Sequence, residues 1–277
     1  MKLTKEQKDK MTKKTDFVDT NNTIRDLITA IELGANIGLR GPTGTGKTHL
    51  IRSLAQQAGK ELVILNMTVN TSVDEVKGKW VVKRDHTGQP SIEWITGIVA
   101  EALQKGHWLL VEEFNFMNEE IASVFYSIMD ERKELIQDEH EKEILKAHPE
   151  FIMFLTGNWD YKGTIRPNPA LMNRVHCWFD IDYLPQTKEA KLLTDKTGID
   201  PEIAKKMTKF SEGIRKITEE EGLDDLSTRA IEWWATFTKT GMDALESAEI
   251  TVIPLLAQKT EEKKKIRDLV KLHFGKA

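Results

Sequence analysis

Short, continuously apolar runs alternate with stretches of helical periodicity over roughly the first two-thirds of the chain. The apolar runs cover residues 37–39, 62–65, 108–111, 151–155 and 175–181. Strands that are apolar on both faces, with helices between them, are typical of a parallel sheet covered on each side. The pattern therefore predicts an α/β fold built around such a sheet.

Helical spacing of apolar residues is clearest just before the first of these runs. There it begins behind an Asn22/Thr23 cap and ends at Gly34. Further predicted elements are helices over 50–55 and 118–129, a helical turn over 73–76, and a hairpin over 80–95 with its turn at 85–88.

After Pro185 the apolar runs stop and only helical patterns remain. Four helical stretches are predicted, beginning at Pro201, behind Ser227, near Ala244 and near Glu261. Three segments follow from these patterns: a charged, flexible N-terminal segment (1–21), an α/β domain (22–185) and a small all-α domain (186–277).

Composition narrows the range of functions without naming one. Among 277 residues, 30% are charged and 39% hydrophobic, with a net charge of −4, which describes an ordinary globular protein. The acidic balance argues against a dedicated nucleic-acid binder. The single cysteine, Cys177, favours a reducing compartment, and the chain has neither a long apolar run nor an apolar N-terminal signal core. We therefore expect a cytoplasmic protein without a membrane span.

A glycine-rich segment after the first apolar run carries the strongest chemical signal. Residues 41–48 match the phosphate-loop pattern G-x-x-x-x-G-K-[ST] and lie between a predicted strand and a predicted helix. Backbone N–H groups of such a loop surround phosphates, the lysine neutralises their charge, and the final hydroxyl binds Mg²⁺. The predicted nucleotide-binding residues are Gly41, Pro42, Thr43, Gly44, Thr45, Gly46, Lys47, Thr48 and His49.

Two carboxylates, Glu112 and Glu113, end the apolar run 108–111. In isolation they would be solvated acids, but beside a phosphate loop such a pair organises Mg²⁺ and polarises water. Glu113 is the expected general base and Glu112 the metal-organising group, acting through a water if its length requires one.

Three further polar residues complete the candidate chemistry. Asn158 follows the run 151–155 and could orient the attacking water. Arg174 ends a short predicted helix, and Arg229 lies just inside the helix behind Ser227. Arginines that reach a γ-phosphate stabilise the transition state, whereas surface salt bridging is the alternative for both.

The order of these motifs resembles that of AAA+ ATPases, and within them the MoxR/CbbQ/NorQ/GvpN group, which is related to dynein and midasin. Segments 74–78, 106–115 and 147–151 resemble further stretches of that group. The resemblance implies a P-loop AAA+ module with a helical lid domain. It implies Lys47 and Thr48 as Walker A, Glu112 and Glu113 as Walker B, Asn158 as sensor 1, Arg174 as arginine finger, and Arg229 as sensor 2. Glu112 departs from the usual aspartate.

The same resemblance implies a homo-oligomeric ring, usually of six subunits, that hydrolyses Mg·ATP to ADP and phosphate and remodels a client protein. It also implies a von Willebrand A-type partner protein and two hairpin insertions, at 80–95 and 134–146. Trp80 is expected to pack rather than grip a substrate. Two alternatives remain at this point: a nucleic-acid motor or restriction-type NTPase, which is not favoured, and a nucleotide-gated scaffold with little turnover.

Overall fold

The computed structural model describes residues 1–15, 17–84, 86, 88–140, 142–159, 165–221 and 226–274. The chain divides into two compact units. The first contains Met1–Arg40, Lys47–Trp159 and residues 165–180, and the second contains the loop Gly41–Gly46 and the chain from Ile181 onward. The division thus falls a few residues before the expected start of the helical domain at 186.

Nine strands occur in the described residues, all in the first unit. They are β1 (Ile37–Arg40), β2 (Leu62–Asn66), β3 (Gly78–Arg84), β4 (Pro90–Thr96), β5 (Trp108–Glu112), β6 (Glu134–Gln137), β7 (Glu143–Lys146), β8 (Ile152–Gly157) and β9 (Cys177–Asp180). Five of them form one sheet in the order β2-β5-β8-β1-β9, and every neighbouring pair is parallel. The predicted α/β fold with a parallel sheet is confirmed.

The helices of the first unit connect these strands. They are α1 (Lys5–Lys13), α2 (Thr23–Glu32), α3 (Lys47–Ala58), α4 (Val73–Lys77), α5 (Ile98–Lys105), α6 (Glu119–Met129) and α7 (Pro169–Met172). The central apolar runs are buried as their composition requires: residues 108–111 of β5 are fully inaccessible and all of β8 is buried, whereas most residues of the outer strands β2 and β9 are half-buried. Helix α5, which was not predicted, begins at a glycine without a side-chain cap, so its start carries no polar signal.

The N-terminal segment differs from the expected flexible terminus. Residues 5–13 form α1, which starts with a capping box between Thr4 and Gln7. Met11 is fully buried, and the Gln7 side chain donates a hydrogen bond to the Ala58 carbonyl at 2.6 Å. The sequence did not predict this helix because Met11 is its one buried residue, with Leu3 buried just before it, and this is too little to give an apolar period.

The start of α2 also differs from its predicted cap. Asn22 adopts a left-handed conformation and makes no side-chain capping bond. The carboxylate of Asp19 instead accepts hydrogen bonds from the backbone N–H groups of Thr23 and Ile24, at 3.0 and 3.1 Å. A carboxylate satisfies the free N–H groups and also interacts favourably with the helix dipole.

Both expected hairpins are present as two-stranded antiparallel ladders, β3–β4 and β6–β7. Of the predicted turn, Asp85 and Thr87 lie outside the described residues. Trp80 is 49% exposed, yet its indole contacts the rings of Trp94 and His140 and donates a hydrogen bond to the Glu139 carbonyl at 3.0 Å. The two hairpins are thereby joined to each other, so Trp80 packs while leaving half its surface in solvent.

All regular secondary structure in the described residues of the second unit is helical. The helices are α8 (Gln186–Thr197), α9 (Pro201–Glu221), α10 (Thr228–Lys239), α11 (Ala244–Thr251), α12 (Ile253–Leu256) and α13 (Thr260–Phe274). Their core is apolar and includes Phe210, Ile231 and Trp234. No helix in the described ranges of either unit combines the length and apolar character needed to cross a lipid bilayer.

Gly38, at the centre of β1, gives a testable prediction about the sheet. A Cβ at this position would lie 2.3 Å from the ring of Trp178, which packs in turn against Phe114 and Trp159. Because that ring has little room to move, we expect Gly38→Ala to lower the free energy of unfolding by about 1–3 kcal/mol. Urea unfolding followed by tryptophan fluorescence measures the change.

Gly213 provides the matched control, since a Cβ there would meet no atom within 4 Å and the residue is helical. Gly213→Ala should be neutral or stabilising by up to about 1 kcal/mol. Equal stability losses in the two variants would contradict the assigned packing of Trp178 on Gly38.

Candidate active site

The strand order brings the predicted catalytic residues of the first unit to one edge of the sheet. Strand β8 lies between β5 and β1, parallel to both. The carboxyl end of β5 carries Glu112 and Glu113, and Asn158 follows the end of β8. Strand β1 ends at Arg40, in register with Gly157, and leads directly into the glycine-rich segment. Ligands of open α/β sheets bind at this edge.

The phosphate loop requires glycine at several positions. Gly41, Gly44 and Gly46 have φ values of +138°, +79° and +93°, a region that side chains with a Cβ rarely adopt. At Gly44 a Cβ would also lie 2.7 Å from the Cβ of Ser227. Within the loop, the Thr45 hydroxyl donates to the Pro42 carbonyl at 3.0 Å, so the turn is held by its own residues.

Thr48, the last residue of the phosphate-loop motif, lies in the first turn of α3 and contacts Glu112 directly. Its hydroxyl donates a hydrogen bond to Oε1 of Glu112, and both side chains are half-buried. A hydroxyl and a carboxylate oxygen at one point are the type of ligand that Mg²⁺ takes. The donor set therefore fits Mg²⁺. The side chain of Glu112, one methylene longer than the usual aspartate, reaches Thr48 directly.

Lys47 and Glu113 form an electrostatically coupled pair beside Thr48. Burial lowers the pKa of Lys47 to about 8, although the charges of Glu113 and Glu112 oppose that shift. Burial also raises the pKa of Glu113; the positive charge of Lys47 partly offsets this shift, and the negative charge of Glu112 adds to it. A carboxylate with a raised pKa is a better proton acceptor, as a general base must be.

Glu113 also has an unusual backbone. Its φ of +52° turns the chain out of β5 into a short 3₁₀ turn at Phe114–Phe116. Within that turn, Asn115 is 2% exposed, and neither polar atom of its side chain has a hydrogen-bond partner in the described part of the chain. If Gly157 carried a Cβ, that atom would lie 2.9 Å from Oδ1 of Asn115. The absence of a side chain at Gly157 therefore lets the turn that follows Glu113 approach the end of β8, directly before Asn158.

Arg174 lies after α7 and next to α6, and it forms no ion pair with an acid in the described residues. Its Nη1 donates to the Ala170 carbonyl at 2.9 Å, and its guanidinium carbon lies 4.6 Å from the centre of the Tyr126 ring. Its Nε is buried without a hydrogen-bond partner in the described part of the chain. Arg166, eight residues before Arg174, is exposed.

In the second unit, the N-terminus of α10 holds Arg229 near the phosphate loop. The Ser227 side chain caps α10, and Thr228 donates to Glu189, which is buried and paired with Arg215 at 2.8 Å. Arg229 is exposed, and its Cβ lies 3.8 Å from the position that a Cβ on Gly44 would occupy. Tyr183, whose hydroxyl donates to the Thr43 carbonyl at 3.2 Å, contacts the same loop.

Three residues near these groups were not identified from the sequence. Asn66 ends β2 in register with Glu112, Asn115 follows the acid pair, and Tyr126 lies under Arg174. The position of Asn115 two residues after Glu113 is a usable sequence signal. The other two depend on strand order and helix packing, which the local pattern does not contain.

The lowered pKa of Lys47 predicts pH-dependent nucleotide affinity. Only the protonated Lys47 amine attracts phosphate, and above its pKa of about 8 most of the nucleotide-free protein has lost this proton. We therefore expect the affinity for ADP to fall about tenfold between about pH 7 and about pH 9.5. Titration with a fluorescent ADP analogue at several pH values measures this. Lys47→Met should bind weakly and show no such slope; equal slopes in both proteins would contradict the assignment.

Comparison with known proteins places two family models on the chain. The AAA domain of the dynein-related subfamily matches residues 36–175, and the CbbQ/NirQ/NorQ C-terminal domain matches residues 189–273. An uncharacterized protein of Staphylococcus aureus is 30% identical over 210 residues, covering 74% of this chain and 78% of its own. One from Staphylococcus saprophyticus is 27% identical over 208 residues with the same coverage.

Among solved structures, a crystallised candidate ATPase of Cytophaga hutchinsonii resembles this chain with a TM-score of 0.52 at 17% identity. The match covers 94% of this chain and 84% of that protein. At this identity the likeness concerns the fold alone. The family matches, by contrast, cover both the part that contains the phosphate loop and the helical part.

Proposed function

Since the chain belongs to the AAA+ ATPases of the dynein-related, MoxR/CbbQ type, we propose that it hydrolyses Mg·ATP and uses the energy to remodel a partner protein. The observation that carries the proposal is the convergence of Thr48 on Glu112 next to the coupled pair Lys47 and Glu113. A merely structural turn would not need three glycines with positive φ leading into a half-buried lysine that interacts electrostatically with two carboxylates.

In the proposed reaction, the loop 41–46 binds the phosphates through its backbone and Lys47 neutralises their charge. Thr48 and Glu112 would hold Mg²⁺, which when bound neutralises the β- and γ-phosphate oxygens. Glu113 accepts the proton of the attacking water, whose position is set by the amide of Asn158. The raised pKa of Glu113 supports this role because its conjugate acid forms more readily at neutral pH.

Two arginines have proposed roles in sensing the γ-phosphate. Arg229, at the start of α10 and beside the phosphate loop, would couple nucleotide state to the helical unit. Arg174 has no carboxylate partner among the described residues, so its charge remains available for a phosphate. We propose that it acts on the nucleotide of a neighbouring copy in a ring, with six subunits as the family's usual number.

Assembly is tested by sedimentation at micromolar protein with Mg²⁺ and either ATP or no nucleotide. We expect a ring-sized species with ATP, and a monomer under both conditions would contradict the shared site.

The client protein is tested by affinity capture with Glu113→Gln protein that keeps ATP bound, with Lys47→Met as control. Retention of a von Willebrand A-type protein by the first variant alone supports remodelling, whereas turnover stimulated only by DNA would instead indicate a nucleic-acid motor.

A further inference from the structure

Tyr126 contacts Arg174, and no motif of the sequence includes this tyrosine. Tyr126 lies on α6, four residues before Asp130 and close to the end of the helix, and its side chain is half-buried. The guanidinium carbon of Arg174 lies 4.6 Å from the centre of its ring. A cation over an aromatic face is attracted by the negative charge of the ring's π-system.

The manner in which Arg174 is held leaves most of its donors unused. The guanidinium carbon lies over the Tyr126 ring, and this contact uses none of the N–H donors of Arg174. One edge donor binds the Ala170 carbonyl, and the Nε–H is buried with no partner among the described residues. The aromatic ring thus holds the guanidinium in place and leaves its charge intact. A carboxylate partner would neutralise that charge.

Asp130, an acid that interacts electrostatically with Arg174, is already engaged by another arginine. The Asp130 carboxylate accepts hydrogen bonds from both Nε and Nη2 of Arg132, at 3.1 and 2.7 Å to Oδ2. Asp130 therefore contributes long-range attraction to Arg174 rather than an ion pair. The backbone of Arg174 is also fixed, because its carbonyl accepts a hydrogen bond from the Asn36 side chain at 2.9 Å.

We propose that Tyr126 is the positioning residue of Arg174: its ring supports the guanidinium and leaves its remaining N–H donors available to a phosphate oxygen of the nucleotide. The inference rests on the proposed role of Arg174 in ATP hydrolysis. It assigns to Tyr126 an effect on the catalytic rate and none on the binding of nucleotide to its own subunit.

The test compares Tyr126→Leu, which removes the aromatic face, with Tyr126→Phe, which keeps it. We expect Tyr126→Leu to lower kcat about 3- to 30-fold, with KM and the Kd for ADP changed less than about twofold. Tyr126→Phe should stay within about twofold of the wild-type kcat. Ser123→Ala, an exposed position on the same helix, is the control for changes to α6, and Tyr126→Gln is a second variant should the leucine variant fold poorly.

A structural role for Tyr126 predicts a different outcome. In that case Tyr126→Leu would lower thermal stability and nucleotide affinity together. An intact neighbouring subunit would not restore its turnover. Mixing Tyr126→Leu with Glu113→Gln should restore part of the turnover, because the second protein supplies an intact Arg174 to the first.

Two results separate the inference from the proposed function. If Arg174→Ala lacks turnover while Tyr126→Leu retains the wild-type kcat, or Tyr126→Phe is as impaired as Tyr126→Leu, the positioning role is overturned and the function stands. If Arg174→Ala itself keeps wild-type turnover, the assumed role of Arg174 fails and the inference fails with it.

Discussion

Glu113→Gln is expected to lower the rate of phosphate release at saturating Mg·ATP by about 10²- to 10⁴-fold. The amide keeps the size and hydrogen-bonding capacity of the side chain but cannot accept the proton of the attacking water. Because burial and the charge of Glu112 raise the pKa of this carboxyl against the opposing charge of Lys47, the group is suited to hold that proton briefly. A coupled phosphate-detection assay measures the rate.

Nucleotide affinity provides the internal check on Glu113→Gln. Binding depends on the loop 41–46, Lys47 and Thr48, so the Kd for ATP should change less than about threefold. Glu119→Gln, which neutralises an exposed carboxylate in the first turn of α6, should leave the rate unchanged. Phosphate release by Glu113→Gln at the wild-type rate would remove Glu113 from the catalytic role and favour a scaffold with incidental turnover.

Arg174→Ala is expected to reduce kcat about 10³- to 10⁵-fold, the range for an arginine that stabilises the transferring phosphoryl group. Each subunit should still bind ATP, since the residue contacts Tyr126 and Ala170 and not the phosphate loop. Equilibrium binding beside steady-state turnover separates these effects. Arg25→Ala, which removes an exposed arginine paired with Asp26, is the matched control.

Mixed assemblies test whether Arg174 acts between subunits. A subunit with Arg174→Ala keeps its own Glu113, and one with Glu113→Gln keeps Arg174, so a mixture contains complete sites where the two meet. We expect the mixture to recover turnover that neither protein has alone. Complete lack of recovery, with both variants folded and co-assembled, would argue that each subunit uses its own arginine.

The fold was largely predictable because the central strands β1, β5 and β8 of the sheet are buried on both faces and are therefore continuously apolar. Strand β8, with all its residues buried, gives a signal that no amphipathic helix imitates. The same reasoning missed α1, whose helical character depends on a polar capping box and a few buried side chains. It also placed the cap of α2 on Asn22 rather than Asp19, because the capping carboxylate lies outside the helix by several residues.

The candidate site was predictable where chemistry depends on neighbours in sequence. The phosphate loop needs glycine at fixed spacing, and the acids Glu112 and Glu113 follow directly from their strand. Contacts across the sheet were not predictable, because they depend on which strands are adjacent: Asn66 meets Glu112 only since β2 and β5 pair. The support of Arg174 by Tyr126 likewise depends on how α6 and α7 pack, which neither segment indicates alone.

The rate of phosphate release by the wild-type protein, measured against Lys47→Met under identical Mg·ATP concentrations, tests ATP hydrolysis most directly. We predict saturable, Mg²⁺-dependent turnover in the wild type and loss of that turnover in the variant, because Lys47 supplies the charge that binds the phosphates. Turnover that survives Lys47→Met would show a contaminating activity, and no turnover in wild-type protein that has assembled with ATP would contradict hydrolysis at this site.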